Sequence, residues 1–355
     1  MENKSYTAAR EAACKGVPAV AILPGYFPPE LIAAAGAHPF RVWGGRPDTV
    51  HADGALQSYI CSMAKSVLED ILDGTLDFAS GYVVPAVCDT MQNMSDLIAA
   101  QGKKVFCMRL PRASYRPEAE EWLAHEVARF GRWIEEITGN VPSNAALSAT
   151  AARYDNARAA LLELYSKRRK SAAPFPAAGF YSLILDSFMC SPEDTLKRIP
   201  GYLTSVPAGK TAGHRVVVTG TAPIPTGFLD VLEESGLTVV EDDFMAGRRV
   251  LSRPALSSFE KSALFEAFLG GAPCSSNTFN HDARPGYLID LAAASKAAGV
   301  VFWETKACEN EAFDLPWLVE GLQKAGLKTM VIETEQKMRT FETAATRVAA
   351  FAETL

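Results

Sequence analysis

The stretch GYVVPAVCDTMQNMSDLIAAQGKK, from Gly81 to Lys104, decides the fold. The apolar run GYVVPAV is followed by DTMQNMSDLIAAQG, whose apolar residues recur at helical spacing, and then by a second apolar run, KKVFCMRL. Two buried strands joined by a crossover helix form a βαβ unit with parallel strands. Cys88 lies where the first strand turns into the helix, at the edge where open α/β sheets bind their ligands.

The same layout occurs again near the end of the chain. The strand VVFWET leads to Cys308 and Glu309, then to a helix that ends at Gly326 and to the strand KTMVIETE. Before it, the patterns predict the strands RVVVTG and LTVVEDD, with the helices PTGFLDVLEESG and RPGYLIDLAAASKAAG. We therefore expect two related α/β lobes with parallel sheets, each with a cysteine at the carboxyl end of a strand.

Between the lobes the pattern changes to long helices. From about Pro117 to Leu203 the sequence contains EEWLAHEVARFGRWIEEITG and SNAALSATAARYDNARAALLELYSKRRK, and no convincing strand. We predict an N-terminal α/β lobe at 1–116, a helical region at 117–210 and a C-terminal α/β lobe at 211–355. The basic run SKRRK ends a helix, where positive charge suits the dipole, and is predicted to be solvated. The residues after LTVVEDD are predicted to be rich in loops.

The composition is that of an ordinary globular protein. Of 355 residues 48% are hydrophobic, and the formal net charge is -6. This charge argues against nucleic acid or an anionic membrane surface as a partner, and no apolar run is long enough to span a bilayer. The start of the sequence lacks the basic and apolar regions of a signal peptide. We therefore expect a cytoplasmic location.

The seven cysteines carry the main chemical signal. Their odd number and the lack of a CxxC pair favour reduced thiols over disulfides or a zinc ribbon. Cys88 and Cys308 lie at strand-to-helix turns and Cys61 near the start of an amphipathic helix, where free N–H groups favour a thiolate or an anionic cluster. Three such thiolates suit an iron–sulfur cluster with one open iron better than a closed zinc site. The alternative for each is a small buried side chain.

The other candidate residues give weaker signals. Cys274 is a reserve ligand, whereas Cys14, Cys107 and Cys190 are interpreted as structural. The histidines lack the spacing of a metal site. His281 and Arg284 suggest either contact with a substrate phosphate or a solvated loop. The turn TGTAPIPTG follows a strand but lacks the glycine pattern of a nucleotide-binding loop.

Several stretches together resemble the family of 2-hydroxyacyl-CoA dehydratase and benzoyl-CoA reductase subunits. They include PPELIAAAGAHPFRVWGG, the Cys61 segment, Cys-Asp-Thr at Cys88, HRVVVTGTAPIP, VVEDDFMAGRR, GAPC, and Lys-Ala-Cys-Glu at Cys308 followed by Phe-Asp-x-Pro. The resemblance runs nearly from end to end. It implies two flavodoxin-like lobes plus a helical region, with Cys61, Cys88 and Cys308 as ligands of a [4Fe-4S] cluster between the lobes.

The resemblance also implies a reaction and its partners. Such subunits form heterodimers with a paralogous second subunit, and an ATP-dependent iron–sulfur activator supplies one low-potential electron for radical elimination of water from an acyl-CoA substrate, giving an enoyl-CoA. Within the same family, the alternative is a subunit of the benzoyl-CoA reductase type, which reduces an aromatic ring. An alternative from another class is a non-redox two-lobed binding protein, which the lobes alone would permit.

Overall fold

The computed structural model describes residues 6–111, 113–114, 116–172, 174–205, 213–276 and 283–355. Its strands are β1 (Ala19–Ile22), β2 (His38–Arg41), β3 (Gly81–Pro85), β4 (Val105–Met108), β5 (His214–Gly220), β6 (Leu237–Phe244), β7 (Gly299–Thr305) and β8 (Lys328–Thr334). Its helices are α1 (Thr7–Cys14), α2 (Pro29–Ala34), α3 (Val50–Ala55), α4 (Ser62–Leu72), α5 (Asp89–Ala100), α6 (Glu118–Thr138), α7 (Asn144–Lys170), α8 (Ala177–Ser187), α9 (Pro192–Ser205), α10 (Gly227–Glu234), α11 (Lys261–Leu269), α12 (Ala283–Ser295), α13 (Glu309–Lys324) and α14 (Glu342–Ala352).

The strands form two four-stranded sheets with the same topology. The first has the order β2-β1-β3-β4 and the second β6-β5-β7-β8, and neighbouring strands are parallel in both. If each lobe is numbered from its own first strand, both orders read 2-1-3-4, the flavodoxin-like order. The predicted α/β class, with two lobes and parallel sheets, is confirmed.

The predicted βαβ unit consists of β3, α5 and β4. Tyr82 pairs with Val105 and Val84 with Cys107, and all five residues of β3 are buried. One face of this sheet packs on α4 and α5, and the other packs on α6 through residues such as Phe130. A parallel strand covered by helices on both faces requires a continuous apolar run, as GYVVP supplies.

The strand β2 and the helix α11 are among the elements that differ from the predictions. The strand β2, absent from them, has the sequence HPFR, which is short and contains Pro39. A proline lacks the N–H that an interior strand needs, and β2 tolerates it because it lies at the sheet edge. The helix α11 lies in the stretch predicted to be rich in loops. Its residues Leu264 and Phe268 join the apolar core of the first lobe, so tertiary packing stabilises it.

The long helix α7 connects the two cores. Leu147 near its start packs in the first lobe, whereas Leu161 and Tyr165 pack in the second. The prediction of a solvated end at SKRRK is wrong for Arg168, which is fully buried and donates from Nε to the carbonyl of Val239 at 2.8 Å. Within the described part of the chain, every helix is too short or too polar to cross a bilayer.

Candidate functional site

Each of the three predicted ligands immediately precedes a helix. Cys61 precedes α4, Cys88 precedes α5 and Cys308 precedes α13. The thiol of Cys88 accepts a hydrogen bond from the backbone N–H of Met91 at 3.5 Å. Backbone N–H groups in the first turns of α4 and α13 also favour the thiolates of Cys61 and Cys308. These positions therefore stabilise negative charge on sulfur.

The thiol of Cys61 interacts electrostatically with the thiol of Cys88 in the first lobe and with that of Cys308 in the second. Burial raises the pKa of Cys61 to about 11, and the neighbouring thiol of Cys88 contributes to the rise. Burial raises the pKa of Cys308 to about 12, with smaller contributions from Glu311 and from Cys61. Burial also raises the pKa of Cys88. Alone, the thiols keep their protons at neutral pH, whereas a bound metal ion would favour their thiolates.

The residues around the three thiols bear on whether an iron–sulfur cluster fits between them. Among the residues described, no three histidine, cysteine, aspartate or glutamate side chains converge as a ready-made metal site. The donor chemistry nevertheless fits, because each of the three thiols lies at the start of a helix, where backbone N–H groups favour a thiolate. Cys61 and Cys274 also border an apolar cluster that contains Trp43, whose buried Nε1 lacks a hydrogen-bond partner among the described residues. Such a donor suits a sulfur-rich anionic group.

Hydrogen bonds from Gln336 link the second lobe to the first beside Cys61. Its backbone N–H donates to Oγ of Ser62, the residue after Cys61, and its Nε2 donates to the carbonyl of Trp43, each at 2.9 Å. Its Oε1 accepts from the N–H of Gly45 at 2.9 Å. With 3% of its surface exposed, Gln336 is a buried three-point link from the second lobe to the first.

The backbone around Cys308 is tightly constrained. Ala307 has a φ of 63°, a left-handed conformation that costs a residue with a Cβ about 1–2 kcal/mol. Oγ1 of Thr221 lies 3.7 Å from Sγ of Cys308. Thr221 follows Gly220, where a Cβ would lie 2.3 Å from the carbonyl oxygen of Trp303. The end of β5 therefore needs glycine to bring Thr221 beside the thiol.

A buried ionic network lies beneath the start of α13. Arg249 donates from Nε to Oδ1 of Asp243 at 2.8 Å and from Nη1 to Oε1 of Glu311 at 2.7 Å. Arg284 donates to Oε2 of Glu311 and to Oδ2 of Asp314, each at 2.7 Å. Although burial alone would raise the pKa of Glu311, the two guanidinium groups lower it. The carboxylate is therefore ionised and paired.

Two weaker candidates, Arg284 and Cys274, contact this network. Arg284 is 2% exposed and bound to carboxylates, which corrects both the phosphate contact and the solvated loop predicted for it. His281 lies outside the described residues. Cys274 is buried, and its Sγ accepts from the N–H of Ser276 at 3.4 Å and from Nη1 of Arg249 at 3.5 Å. Its role as a reserve ligand stays a prediction.

Two cavities lie along the lobe junction and share Arg46. The larger, of about 220 Å³, is lined by Trp43, Leu185 and Ile224 among others. The smaller, of about 110 Å³, is lined by Ser62 and Ala307, the neighbours of Cys61 and Cys308, and by the lysines Lys65, Lys306 and Lys337. The smaller cavity therefore lies beside two of the three cysteine turns, and its lysines are paired with Glu335 and Asp53.

The remaining cysteines lie away from these turns. Cys14 is exposed at the end of α1, Cys107 is half-buried in β4 and Cys190 is buried. Sequence reasoning missed Thr221, Gln336 and the pair of Arg249 and Glu311. The acids of LTVVEDD at the carboxyl end of a strand were a usable signal for the network, whereas nothing in the local sequence around Gln336 indicates its contact with the other lobe.

Comparison with known proteins agrees with this architecture. The family model of the 2-hydroxyglutaryl-CoA dehydratase D-component matches residues 24–355. The chain is 28% identical to the (R)-2-hydroxyglutaryl-CoA dehydratase subunit beta of Acidaminococcus fermentans, covering 96% of this chain and 93% of the relative.

Two further relatives are named for other activities. The chain is 26% identical to the (R)-phenyllactyl-CoA dehydratase beta subunit of Clostridium sporogenes, covering 96% of this chain and 92% of the relative. It is also 26% identical to a benzoyl-CoA reductase subunit of Thauera aromatica, covering 90% and 86%. The chain belongs to the 2-hydroxyglutaryl-CoA dehydratase D-component family.

Proposed function

We propose that this chain is the iron–sulfur subunit of a heterodimeric radical (R)-2-hydroxyacyl-CoA dehydratase, which eliminates water to give an enoyl-CoA. The observation that carries the proposal is that Cys61, Cys88 and Cys308 each lie at the start of a helix and that the thiol of Cys61 interacts electrostatically with the other two. Family membership and the names of two dehydratase subunits among the relatives support the reaction class.

In this proposal Cys61, Cys88 and Cys308 hold a [4Fe-4S] cluster. When bound, such a cluster supplies low-potential electron transfer or, at an iron without a thiolate, a Lewis-acid position for a substrate oxygen. The residues of the chain orient the sulfurs and set their electrostatics. The N–H groups at the three helix starts donate toward sulfur, which stabilises the more negative state. The three thiols are partly buried, which limits their contact with water.

The partners proposed are a paralogous second subunit, an ATP-dependent iron–sulfur activator that delivers the single electron, and an acyl-CoA substrate. Each of the three relatives is named as one subunit of an enzyme, which supports a second subunit here. We propose the cytoplasm as the location, because all seven cysteines are free thiols, as expected in a reducing compartment.

The decisive experiment measures iron and acid-labile sulfide after anaerobic purification and reconstitution. We expect a brown protein with about four irons per chain, bleached by air. Cys61→Ala, Cys88→Ala and Cys308→Ala should each lose most of the iron, whereas Cys14→Ala and Cys190→Ala should keep it. A colourless wild-type protein would instead favour a non-redox two-lobed binding protein.

Two further measurements refine the outcome. Loss of iron in Cys274→Ala, together with loss in the three variants above, would indicate four cysteine ligands and a closed cluster. The second candidate function, a benzoyl-CoA reductase-type subunit, is favoured by the relative from Thauera aromatica. Assays of the assembled enzyme with a 2-hydroxyacyl-CoA and with benzoyl-CoA separate the two activities, and we expect turnover of the 2-hydroxyacyl-CoA.

A further inference from the structure

One buried guanidinium joins four separate parts of the second lobe. Arg249 is fully buried in an irregular turn after β6. Its Nε and Nη2 hold both carboxylate oxygens of Asp243 at 2.8 and 2.9 Å, and Nη2 also donates to Oγ1 of Thr219 at 3.2 Å. Its Nη1 donates to Glu311 at 2.7 Å and lies 3.5 Å from Sγ of Cys274. The planar fork of arginine makes these simultaneous contacts possible.

Glu311 connects Arg249 to the helical turn that follows Cys308. Glu311 lies in the first turn of α13, three residues after Cys308, and its backbone N–H acts on the Cys308 thiol. Its Oε1 also accepts from Oγ of Ser275 at 3.3 Å. Any displacement of the Glu311 side chain therefore shifts the helical turn that carries the N–H facing the thiol.

The same turn is tied to the Cys88 loop of the other lobe. Nδ2 of Asn310 donates to the carbonyl of Val87, the residue before Cys88, at 2.9 Å and contacts Oγ of Ser276 at 3.4 Å. The first turn of α13 therefore has Asn310 bound to the first lobe and the following residue, Glu311, bound to the buried network. Its orientation governs two of the three cysteine turns.

We propose that Arg249 is a positioning residue for the cysteine site: through Glu311 it fixes the first turn of α13 and so the placement of Cys308 relative to Cys61 and Cys88. The inference rests on the proposed function of the three cysteines. Lysine at position 249 keeps the charge but has no planar fork, so it is unable to reproduce the paired contacts with Asp243 together with the bond to Glu311.

A matched control separates positioning from general stability. Arg168 is also fully buried, donates to the carbonyl of Val239, and pairs with Glu233 at 2.9 Å. It lies at the end of α7, and within the described residues none of its hydrogen bonds or ion pairs involves a cysteine turn. Arg168→Lys therefore measures the loss of stability when a buried arginine of the same lobe is replaced, without affecting a contact to Glu311.

The test compares Arg249→Lys with Arg168→Lys in full-length protein, purified anaerobically and free of metal. Iodoacetamide alkylation of each cysteine is followed by peptide mass spectrometry, with exposed Cys14 as the internal reference. We expect Arg249→Lys to accelerate alkylation of Cys308 by about 5- to 30-fold, the effect of loosening the local structure by one or two kcal/mol. Arg168→Lys should leave the Cys308 rate within about twofold of wild type, as expected for a distant site.

Reconstitution then gives a second readout that separates the two proposals. Wild-type protein that binds no iron overturns the proposed function, whereas the alkylation comparison still tests positioning. If wild type binds iron but Arg249→Lys keeps the wild-type Cys308 rate and the wild-type electron paramagnetic resonance spectrum, the positioning role is overturned. Should Arg249→Lys fail to fold, Glu311→Gln is tested by the same two measurements with the same expected results. This substitution removes the negative charge that Arg249 binds, while glutamine keeps the size and shape of the glutamate side chain.

Discussion

Asn310 and Val87 are joined across the lobes by a 2.9 Å hydrogen bond from the side-chain amide to the backbone carbonyl. Each residue is near a cysteine of the proposed site, Asn310 two positions after Cys308 and Val87 one position before Cys88. The bond therefore links two cysteine turns that are 220 positions apart in the chain. Its loss would let the turns move independently.

Asn310→Ala should destabilise the protein by about 1–2 kcal/mol, because it leaves the carbonyl of Val87 without this donor. Urea unfolding measures the loss, and hydrogen exchange should show faster exchange in the first turn of α5. Gln323→Ala is the control, since it removes a side-chain amide that donates to Thr329 at 3.0 Å on an exposed surface. Equal losses in the two variants would argue against a special role for the link between the lobes.

Gly44→Ala should loosen the contact between the lobes. Gly44 has a φ of 73°, and a Cβ there would lie 2.5 Å from Oε1 of Gln336 and 2.9 Å from Oγ of Ser66. We expect a loss of about 2–5 kcal/mol, the sum of backbone strain and overpacking. Gly16→Ala is matched, because its φ is 79° and the added Cβ would meet nothing within 4 Å.

The difference between these two glycine variants measures the crowding of the added Cβ against Gln336 and Ser66. Gly16→Ala should lower the free energy of unfolding only through backbone strain, by about 1–2 kcal/mol. Thermal or urea unfolding of both variants gives the comparison. If Gly44→Ala lowers the free energy of unfolding no more than Gly16→Ala does, the side chain of Gln336 moves aside without loss of stability. The contact between the lobes is then easily deformed.

Ala307→Val should destabilise the turn before Cys308, whereas Ala307→Gly should not. The φ of 63° suits glycine and strongly disfavours a β-branched residue. We expect a loss of at least about 1 kcal/mol for valine and a change within about 1 kcal/mol for glycine. Lys296, with a φ of 53°, gives the control pair Lys296→Val and Lys296→Gly away from the cysteines. Only the valine at position 307 should also reduce iron content after reconstitution.

Glu304→Gln should stabilise the metal-free protein increasingly as the pH rises. Burial, aided by the negative charge of Glu311, raises the pKa of Glu304 to about 8. Between the unfolded pKa near 4.3 and the folded value, the folded state keeps a proton that the unfolded state has lost. Wild-type stability therefore falls as the pH rises across this window, by at most about 1.4 kcal/mol per pH unit.

Glutamine mimics the neutral acid and removes this pH-dependent penalty. Urea unfolding at pH 5 and pH 8 should show a larger gain for Glu304→Gln at pH 8. Glu353→Gln, at an exposed position near the end of the chain, should show the same difference from wild type at both values. A gain for Glu304→Gln that does not depend on pH would mean that Glu304 is ionised in the folded protein.

The lobes were predictable because their signals are local. Buried parallel strands require continuous apolar runs, and the runs at Gly81 and Gly299 were recognised as strands together with the helices that follow them. The short strand β2 was missed because its sequence HPFR has no such run, and α11 was missed because its stability comes from packing on the first lobe. The family was also recognised from local motifs and is confirmed by the match over residues 24–355.

By itself the sequence determined the two α/β lobes, the family and the positions of Cys61, Cys88 and Cys308 at helix starts, because strand, turn and helix patterns depend on neighbouring residues. Only the tertiary structure decided which groups surround those thiols. Gln336 reaches Ser62, Arg249 reaches Glu311 and Asn310 reaches Val87 through contacts between residues distant in sequence. The free energy of such contacts depends on burial and geometry, since a buried charge or amide is stable only when the folded chain supplies its partner.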